Sequence, residues 1–429
     1  MRIVKTGWIT PAGNDEETIW NALRMTRPNL AGPQACQEPD DRQGTWEPEG
    51  SGSGSGRGRK NALEGLPKKG RRASRFSHLG LCAARSAIRP EWIGDRKAER
   101  IGAVFTTAYG PLETNMEFAR QMIGDEPDLC SPSLFANTVH NACLGTISMD
   151  LGIKGPSTML LGSNHLLLTR LLLAEGKADL ILAGAIEEYN EELERSLHIQ
   201  GMEARRVDEA AVVLALAADD AALPGLTAED ADIRIGETFS FGLGIGAYGL
   251  LPSGLAEETG LVGRIERFLR KYRPDAVLGH ASWTTLGQAE RRAIETSRAC
   301  EDHPAKETSS PMPIAAGSYA AEDRVPQQVS AGMRTDPSAE QSGGARTSVD
   351  SALSEPANMS DGFYEVFGHC LGSDLTLKAA AAKLCLERGQ IPAALGGSAK
   401  APERIAVLSA EATGNYSIAI VEKRPGKGR

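Results

Sequence analysis

Short apolar runs alternating with segments of helical periodicity, in two successive rounds along the chain, predict an α/β protein. Residues 155–189, GPSTMLLGSNHLLLTRLLLAEGKADLILAGAIEEY, set the pattern. Residues 157–161 form a short apolar run without helical spacing, 166–173 are dense in leucine, a strong helix former, and 178–183 are apolar again. Strand, sharp turn, helix and strand in that order make a βαβ unit with a buried helix. A second round of strand and helix begins near Asp232, so the chain divides into two similar α/β halves, 1–230 and 231–429.

The remaining elements follow in order. Residues 1–9 read as a strand closed by the turn chemistry of Thr10-Pro11-Ala12-Gly13-Asn14, and Asp15-Glu16-Glu17 put acids at the start of a helix running to Leu23. From 29 to 69 the composition shifts to Gly, Ser, Pro and charge around GSGSGSGRGRK, which predicts a flexible insertion. Phe76, Leu79, Leu81, Cys82 and Ala83 then mark one face of a helix ending before Pro90. A strand over 100–107, a helix over 112–123 and a helix carrying Val139, Ala142, Cys143, Thr146, Ile147 and Leu151 lead into the Gly155-Pro156-Ser157 turn. Beyond the βαβ unit come a strand at 210–217, one starting at 232, a glycine-rich loop over 239–248, a helix over 261–272 and a strand at 275–278 that delivers His280. Residues 300–359 repeat the insertion composition. An alanine-rich helix after Phe363 and strands at 404–408 and 416–421 complete the order.

Composition narrows the function classes. With 429 residues and 41% hydrophobic content the chain buries a sizeable core, and a net charge of −9 argues against nucleic-acid binding, which leaves a basic face. The basic cluster over 57–75 is the exception, either a patch for an acidic partner such as a carrier protein or a solvated linker. Seven cysteines, at 36, 82, 130, 143, 300, 370 and 385, form no CxxC pair and no tight cluster with histidine, so neither a zinc site nor a disulfide framework is indicated. No apolar run reaches membrane-spanning length and no secretory leader pattern opens the chain, so the expected localisation is cytoplasmic.

Five stretches carry a resemblance. They are LPKKGRRASRFSHLGLCAARSAI, SPSLFANTVHNACLGTISMDLGIKGPS, GKADLILAGAIEE, GHASWTTLGQAE and FGHCLGS, the last two similar to HGTSTPxGDxxE and GHxxGA. In this order they resemble the β-ketoacyl-acyl carrier protein synthase family of the thiolase-like fold. The resemblance implies two βαβαβαββ halves with stacked five-stranded mixed sheets and helices between and outside them. It also implies no bound cofactor, the substrate arriving on the phosphopantetheine arm of an acyl carrier protein, and a homodimer or a heterodimer with an active ketosynthase.

Family synthases place a nucleophilic cysteine at the start of the helix after Gly-Pro-Ser, and counting seven from Ser157 reaches Asn164 instead. A thiolate at a helix N-terminus takes the acyl group from a thioester, which an amide cannot do. Cys143 sits in NACLG before that turn and reads as a small buried residue on a helix face; Ser163 is a candidate nucleophile only with a general base in reach. The family's two histidines, which polarise the thioester carbonyl and assist decarboxylation, match His280 and His369. His165 reads as pocket-lining, and Trp283 and Thr284 as residues of the pantetheine channel, which Trp283 would fill. The family's lysine five residues before the second histidine is replaced by Tyr364, and its closing GFGGTN loop is reduced to residues 410–415, ending in Gly414 and Asn415.

These departures favour a non-condensing subunit of fatty acid or polyketide biosynthesis, similar to chain-length factors. Three alternatives remain open from the sequence: a malonyl-carrier-protein decarboxylase using His280 and His369 with Asn164 as an amide donor, a divergent condensing acyltransferase using Ser163 or a displaced cysteine, and a scaffold that only binds a carrier protein through residues 57–75.

Overall fold

The computed structural model describes residues 1–26, 73–93, 98–124, 130–162, 165–199, 206–226, 232–243, 260–281, 284–299, 361–398, 400–411 and 414–424. Both expected insertions, 29–69 and 300–359, lie outside the described residues, as do Ser163, Asn164 and Trp283.

The first half runs β1 (Arg2–Ile9), α1 (Glu16–Met25), α2 (Arg75–Ala87), β2 (Ile101–Thr107), α3 (Leu112–Ile123), α4 (Pro132–Phe135), α5 (Asn141–Leu151), β3 (Ser157–Leu161), α6 (His165–Ala174), β4 (Leu180–Glu187), α7 (Glu191–Ile199) and β5 (Ala210–Ala217). The second runs β6 (Ile233–Gly242), α8 (Leu261–Tyr272), β7 (Ala276–Leu278), α9 (Thr285–Ala299), α10 (Asp361–Phe367), α11 (Asp374–Arg388), β8 (Arg404–Ala410) and β9 (Asn415–Lys423). Local chemistry starts the helices where the sequence puts it. Asp15 caps α1 by accepting the Thr18 N–H at 2.9 Å, and Ser74 caps α2 through the Ser77 N–H at 3.1 Å.

Strands follow the order β3-β2-β4-β5-β1-β6-β9-β8-β7. β2 is parallel to β3 and β4, β7 is parallel to β8, and the other pairings are antiparallel. The expectation of two separate five-stranded sheets needs correction. The second half contributes four strands among the described residues, and the two ladders meet through the single register pair Arg2↔Arg234. The layered packing is nevertheless present, and side-chain alternation shows it. Along β5, Ala210, Val212, Leu214 and Leu216 face a core shared with α6 and α11, while Ala211, Val213, Ala215 and Ala217 face a core with α2 and α5. On β8 and β9, Ile405, Val407, Ala419 and Val421 reach that same shared core, whereas Ala406, Leu408, Ile418 and Ile420 pack with α8 and α9. Both faces of these strands are covered, which is why they read as unbroken apolar runs rather than alternating ones. Helices α6 and α11 therefore lie in the layer that both ladders bury.

Two further expectations are corrected. α6 is buried on one face only: Leu167 and Leu171 are 49% and 53% exposed, because the helix lies beside β3, which pairs with β2 alone and leaves Leu161 58% exposed. The stretch expected as loop from 239 instead continues β6 to Gly242, paired with β9 through Phe239↔Ile418, Phe241↔Tyr416 and Gly242↔Asn415. Tilted contacts of Phe241 with Phe239 and Tyr416 hold it there and outweigh the glycine signal.

Candidate active site

β7 ends at Leu278 and the chain turns at once into His280, 6% exposed. Glu290, one turn into α9 beyond Leu286 and almost fully buried, grips it twice: its carboxylate accepts the His280 backbone N–H at 2.6 Å and faces Nδ1 at 2.7 Å. Tyr416, buried in β9, donates its hydroxyl to the same carboxylate. Burial pushes the Glu290 pKa up, but the His280 ring, the Lys378 ammonium and these hydrogen bonds outweigh it and hold the group below the usual range. With Glu290 ionised, Nδ1 carries the proton. Nε2 then accepts the Ala410 backbone N–H at 3.3 Å, so both ring nitrogens are engaged by the protein itself.

His369 lies in the turn between α10 and α11, partly open to solvent. Its backbone is anchored on both sides, donating to Arg206 O at 2.8 Å and accepting from the Asp208 N–H at 3.1 Å. Nδ1 accepts the Leu371 N–H at 3.2 Å, which assigns the ring proton to Nε2, and the ring stacks on Tyr364 at 5.6 Å and 17°. Burial lowers its pKa to about 4; Asp374 opposes that shift, and His280 and Lys378 add to it. The two imidazoles, far apart in sequence, are thus brought within electrostatic reach of each other, and consecutive residues of β8 tie them together: Ala410 N–H bonds His280, and Ser409 Oγ bonds Asp374 at 3.2 Å.

Other expected site residues have internal roles. His165, fully buried, holds Thr376 Oγ1 at 2.9 Å through Nε2 and so links α6 to α11. Thr284 caps α9, donating to Ala281 O at 2.8 Å and accepting the Gly287 N–H at 3.0 Å. Gly414, at φ 78°, closes the β8–β9 hairpin by donating to Glu411 O at 2.9 Å and accepting from Leu243 N–H at 2.7 Å. Asn415 sits on the rim of an open groove shared with Leu160, Leu167, Leu171 and Phe241.

Three buried thiols, at Cys143, Cys370 and Cys385, are not poised for attack. Cys143 is fully buried, with Sγ 3.9 Å from Ser77 O, and burial pushes its pKa far up. Cys370 follows His369 directly, but its Sγ bonds Phe367 O at 3.3 Å and burial raises its pKa well above the ordinary value. Cys385 is pushed up to about 12. Among the described residues no group of three His, Cys, Asp or Glu side chains is placed to hold a metal ion, and no helix is long and apolar enough to cross a membrane.

Sequence reasoning missed several members of this site. Glu290 lies inside GHASWTTLGQAE but its role depends on α9 folding back on His280. Asp374 and Lys378 are an acid four residues before a base, a spacing normally read as an exposed helix pair, yet both are buried. Glu187, at the end of β4, accepts from Thr107 Oγ1 at 3.0 Å and from the Ala108 and Tyr109 N–H groups; burial raises its pKa to about 8, and that of Glu188 beside it to about 7. Glu187 also abuts the turn after His369, since a Cβ on Gly372 would lie 2.5 Å from its Oε1.

Residues 2–213 match the family described as beta-ketoacyl synthase, N-terminal domain. A 197-residue stretch is 28% identical to 3-oxoacyl-[acyl-carrier-protein] synthase 2 of Staphylococcus aureus (strain N315), covering 43% of this chain and 45% of that enzyme, so the match spans less than half of its relative. Over 99% of both chains the fold is similar to the ishigamide ketosynthase/chain length factor, with 15% identity and a TM-score of 0.59. It is likewise similar, at 14% identity and a TM-score of 0.65, to a type II polyketide acyl-carrier protein complex with its ketosynthase bound to the hexaketide. At these identities the likeness is one of fold. The first half thus matches the N-terminal domain of the β-ketoacyl synthases, and the whole chain has the fold of ketosynthases.

Proposed function

We propose that the chain is a non-condensing, chain-length-factor-like partner of an active ketosynthase in fatty acid or polyketide biosynthesis. The observation that carries this reading is the state of His280: Glu290 takes Nδ1 and the Ala410 N–H takes Nε2, so the ring offers no donor to a substrate carbonyl. The sequence supplies a second support, because it contains no cysteine between Cys143 and Cys300 and hence none in the turn after β3. A solved neighbour that is itself a ketosynthase/chain length factor fits the reading, and another pairs a ketosynthase with an acyl-carrier protein. The exposed edge of β3 with Leu161, Leu167 and Leu171 provides apolar surface for the ketosynthase or for a second copy.

One observation favours a second reading, decarboxylation of malonyl-carrier protein. His369 keeps its proton on Nε2 and stays neutral, which suits donation to a developing enolate oxygen. The experiment that separates them is carbon dioxide release from malonyl-acyl carrier protein by the purified chain, alone and co-expressed with a cysteine-bearing ketosynthase. Release by the chain alone at rates abolished by His369→Gln supports the second reading; release only in the complex, unchanged by His280→Ala, supports the first.

A further inference from the structure

Helix α11 carries a buried charge pair, Asp374 and Lys378, whose contacts lead to His369. Lys378 is wholly buried, and its ammonium makes three hydrogen bonds: to Asp374 Oδ2 at 2.6 Å, to Tyr364 Oη at 3.0 Å and to Leu408 O at 2.9 Å. Asp374, 1% exposed, also accepts from Ser409 Oγ at 3.2 Å and from the Tyr364 hydroxyl at 3.3 Å to each oxygen. Taking an ammonium and a carboxylate out of water costs more than their attraction returns unless every proton and lone pair is used, and an apolar pair would serve the core as well. The pair here meets that condition, so its partners are held in fixed places, and what it touches shows which group gains by it. The Tyr364 ring that caps the ammonium is the ring on which His369 stacks.

We propose that Lys378, held by Asp374 and Tyr364, is the positioning residue for His369: it anchors the Tyr364 ring on which His369 stacks and, with the Leu371 N–H on Nδ1, keeps His369 as a hydrogen-bond donor at Nε2. Three pieces of geometry converge on that statement. The tyrosine hydroxyl bonds both Lys378 and Asp374, so the far end of the ring cannot swing away from His369 without breaking those bonds. A fixed ammonium bonded to the hydroxyl of that ring disfavours a second positive charge on His369. The Leu371 N–H excludes the other tautomer. The remaining charged and titratable groups around the ring are accounted for: His280 beyond β7 adds to the effect, Asp374 on α11 opposes it, Asp208 and Arg206 meet the His369 backbone and form an ion pair with each other, and Glu187 on β4 abuts the turn. Tyr364 occupies the position at which the resemblance leads one to expect a lysine; here the ammonium arrives from α11 and reaches the hydroxyl instead.

The test needs no turnover and so stands apart from the proposed function. The full chain is labelled with ¹⁵N-histidine, His369 is assigned by comparison with His369→Gln, and its ring nitrogens are followed by long-range proton–nitrogen correlation from pH 5 to 8. The wild-type ring is expected to stay neutral with the proton on Nε2 throughout. In Lys378→Met, which leaves Asp374 to act alone, the protonation equilibrium of His369 is expected to shift at least tenfold towards imidazolium. Tyr364→Phe keeps the ring and both charges but cuts the tether, and a mixture of the two tautomers is expected; it decides the matter where Lys378→Met does not fold. An unshifted titration in folded Lys378→Met, or a single unchanged tautomer in Tyr364→Phe, overturns the proposal.

Discussion

Replacing Glu187 by glutamine isolates the most strongly perturbed carboxyl near the His369 turn. Glu187 is 1% exposed and its pKa stands at about 8, raised from 4.5 chiefly by burial and in spite of hydrogen bonds from Ala108, Thr107 and Tyr109. A folded pKa raised above the unfolded one means that the folded state holds the proton more tightly. Its contribution is complete below the unfolded pKa and is lost as pH rises through the folded pKa. Between pH 6.5 and 8 the unfolded carboxyl is ionised and the folded one is not, so stability falls by about 1.4 kcal/mol per pH unit, or ~2 kcal/mol over that window. Glu188, at about 7, loses its own part mainly below pH 7 and does so in both proteins. Glutamine copies the protonated acid in shape and accepts the Thr107 and Ala108 donors, so Glu187→Gln should flatten the decline. Urea midpoints measured at pH 6.5, 7, 7.5 and 8 provide the assay, with m-values checked for constancy. Parallel wild-type and variant slopes across that window would refute the reasoning, because they would mean that Glu187 is already ionised in the folded protein.

The acid side has the opposite sign: His369, lowered to about 4, contributes fully above pH 6.5 and loses that contribution as pH falls towards 4, so His369→Gln should reduce the acid loss by about 2 kcal/mol once the ring's partial exposure is allowed for, read from urea midpoints at pH 4.5 to 6.5. Glu290→Gln removes a buried carboxylate that accepts three hydrogen bonds and should cost ~3 to 5 kcal/mol by chemical denaturation, with the His280 ring losing its fixed tautomer in the same ¹⁵N spectrum. Gly7→Ala should cost about 3 kcal/mol, since the added Cβ would overlap the Ala83 carbonyl oxygen where β1 crosses α2 and backbone cannot step aside; an unchanged denaturation midpoint would show that the crossing is looser than the structure has it.

Much of the architecture was legible because it rests on local signals. Asp15 announces its helix, and the apolar runs of β4 and β5 are long because both faces are buried. The join at Arg2↔Arg234 was not legible, since one register pair between distant segments leaves no pattern in either. α6 misled for a simpler reason: leucine all round a helix is the mark of burial, but the helix lies beside an edge strand and keeps Leu167 and Leu171 outside. At the site, motif order singled out His280 and His369, whereas the His280 tautomer rests on Glu290 and the lowered His369 pKa is opposed by Asp374 and aided by Lys378, whose burial emerges only when α9 and α11 fold back. An acid four residues before a base reads as surface charge wherever nothing local says that the helix is central.

The most direct test of the central claim is co-expression of this chain with a cysteine-bearing ketosynthase and an acyl carrier protein, followed by purification on a tag carried by this chain alone. The account expects a stable complex in which condensation depends on the ketosynthase's cysteine, and in which enlarging Leu167 or Leu171 on the exposed face of α6 disrupts assembly. A chain that purifies without the ketosynthase and by itself condenses or decarboxylates malonyl-acyl carrier protein would contradict it.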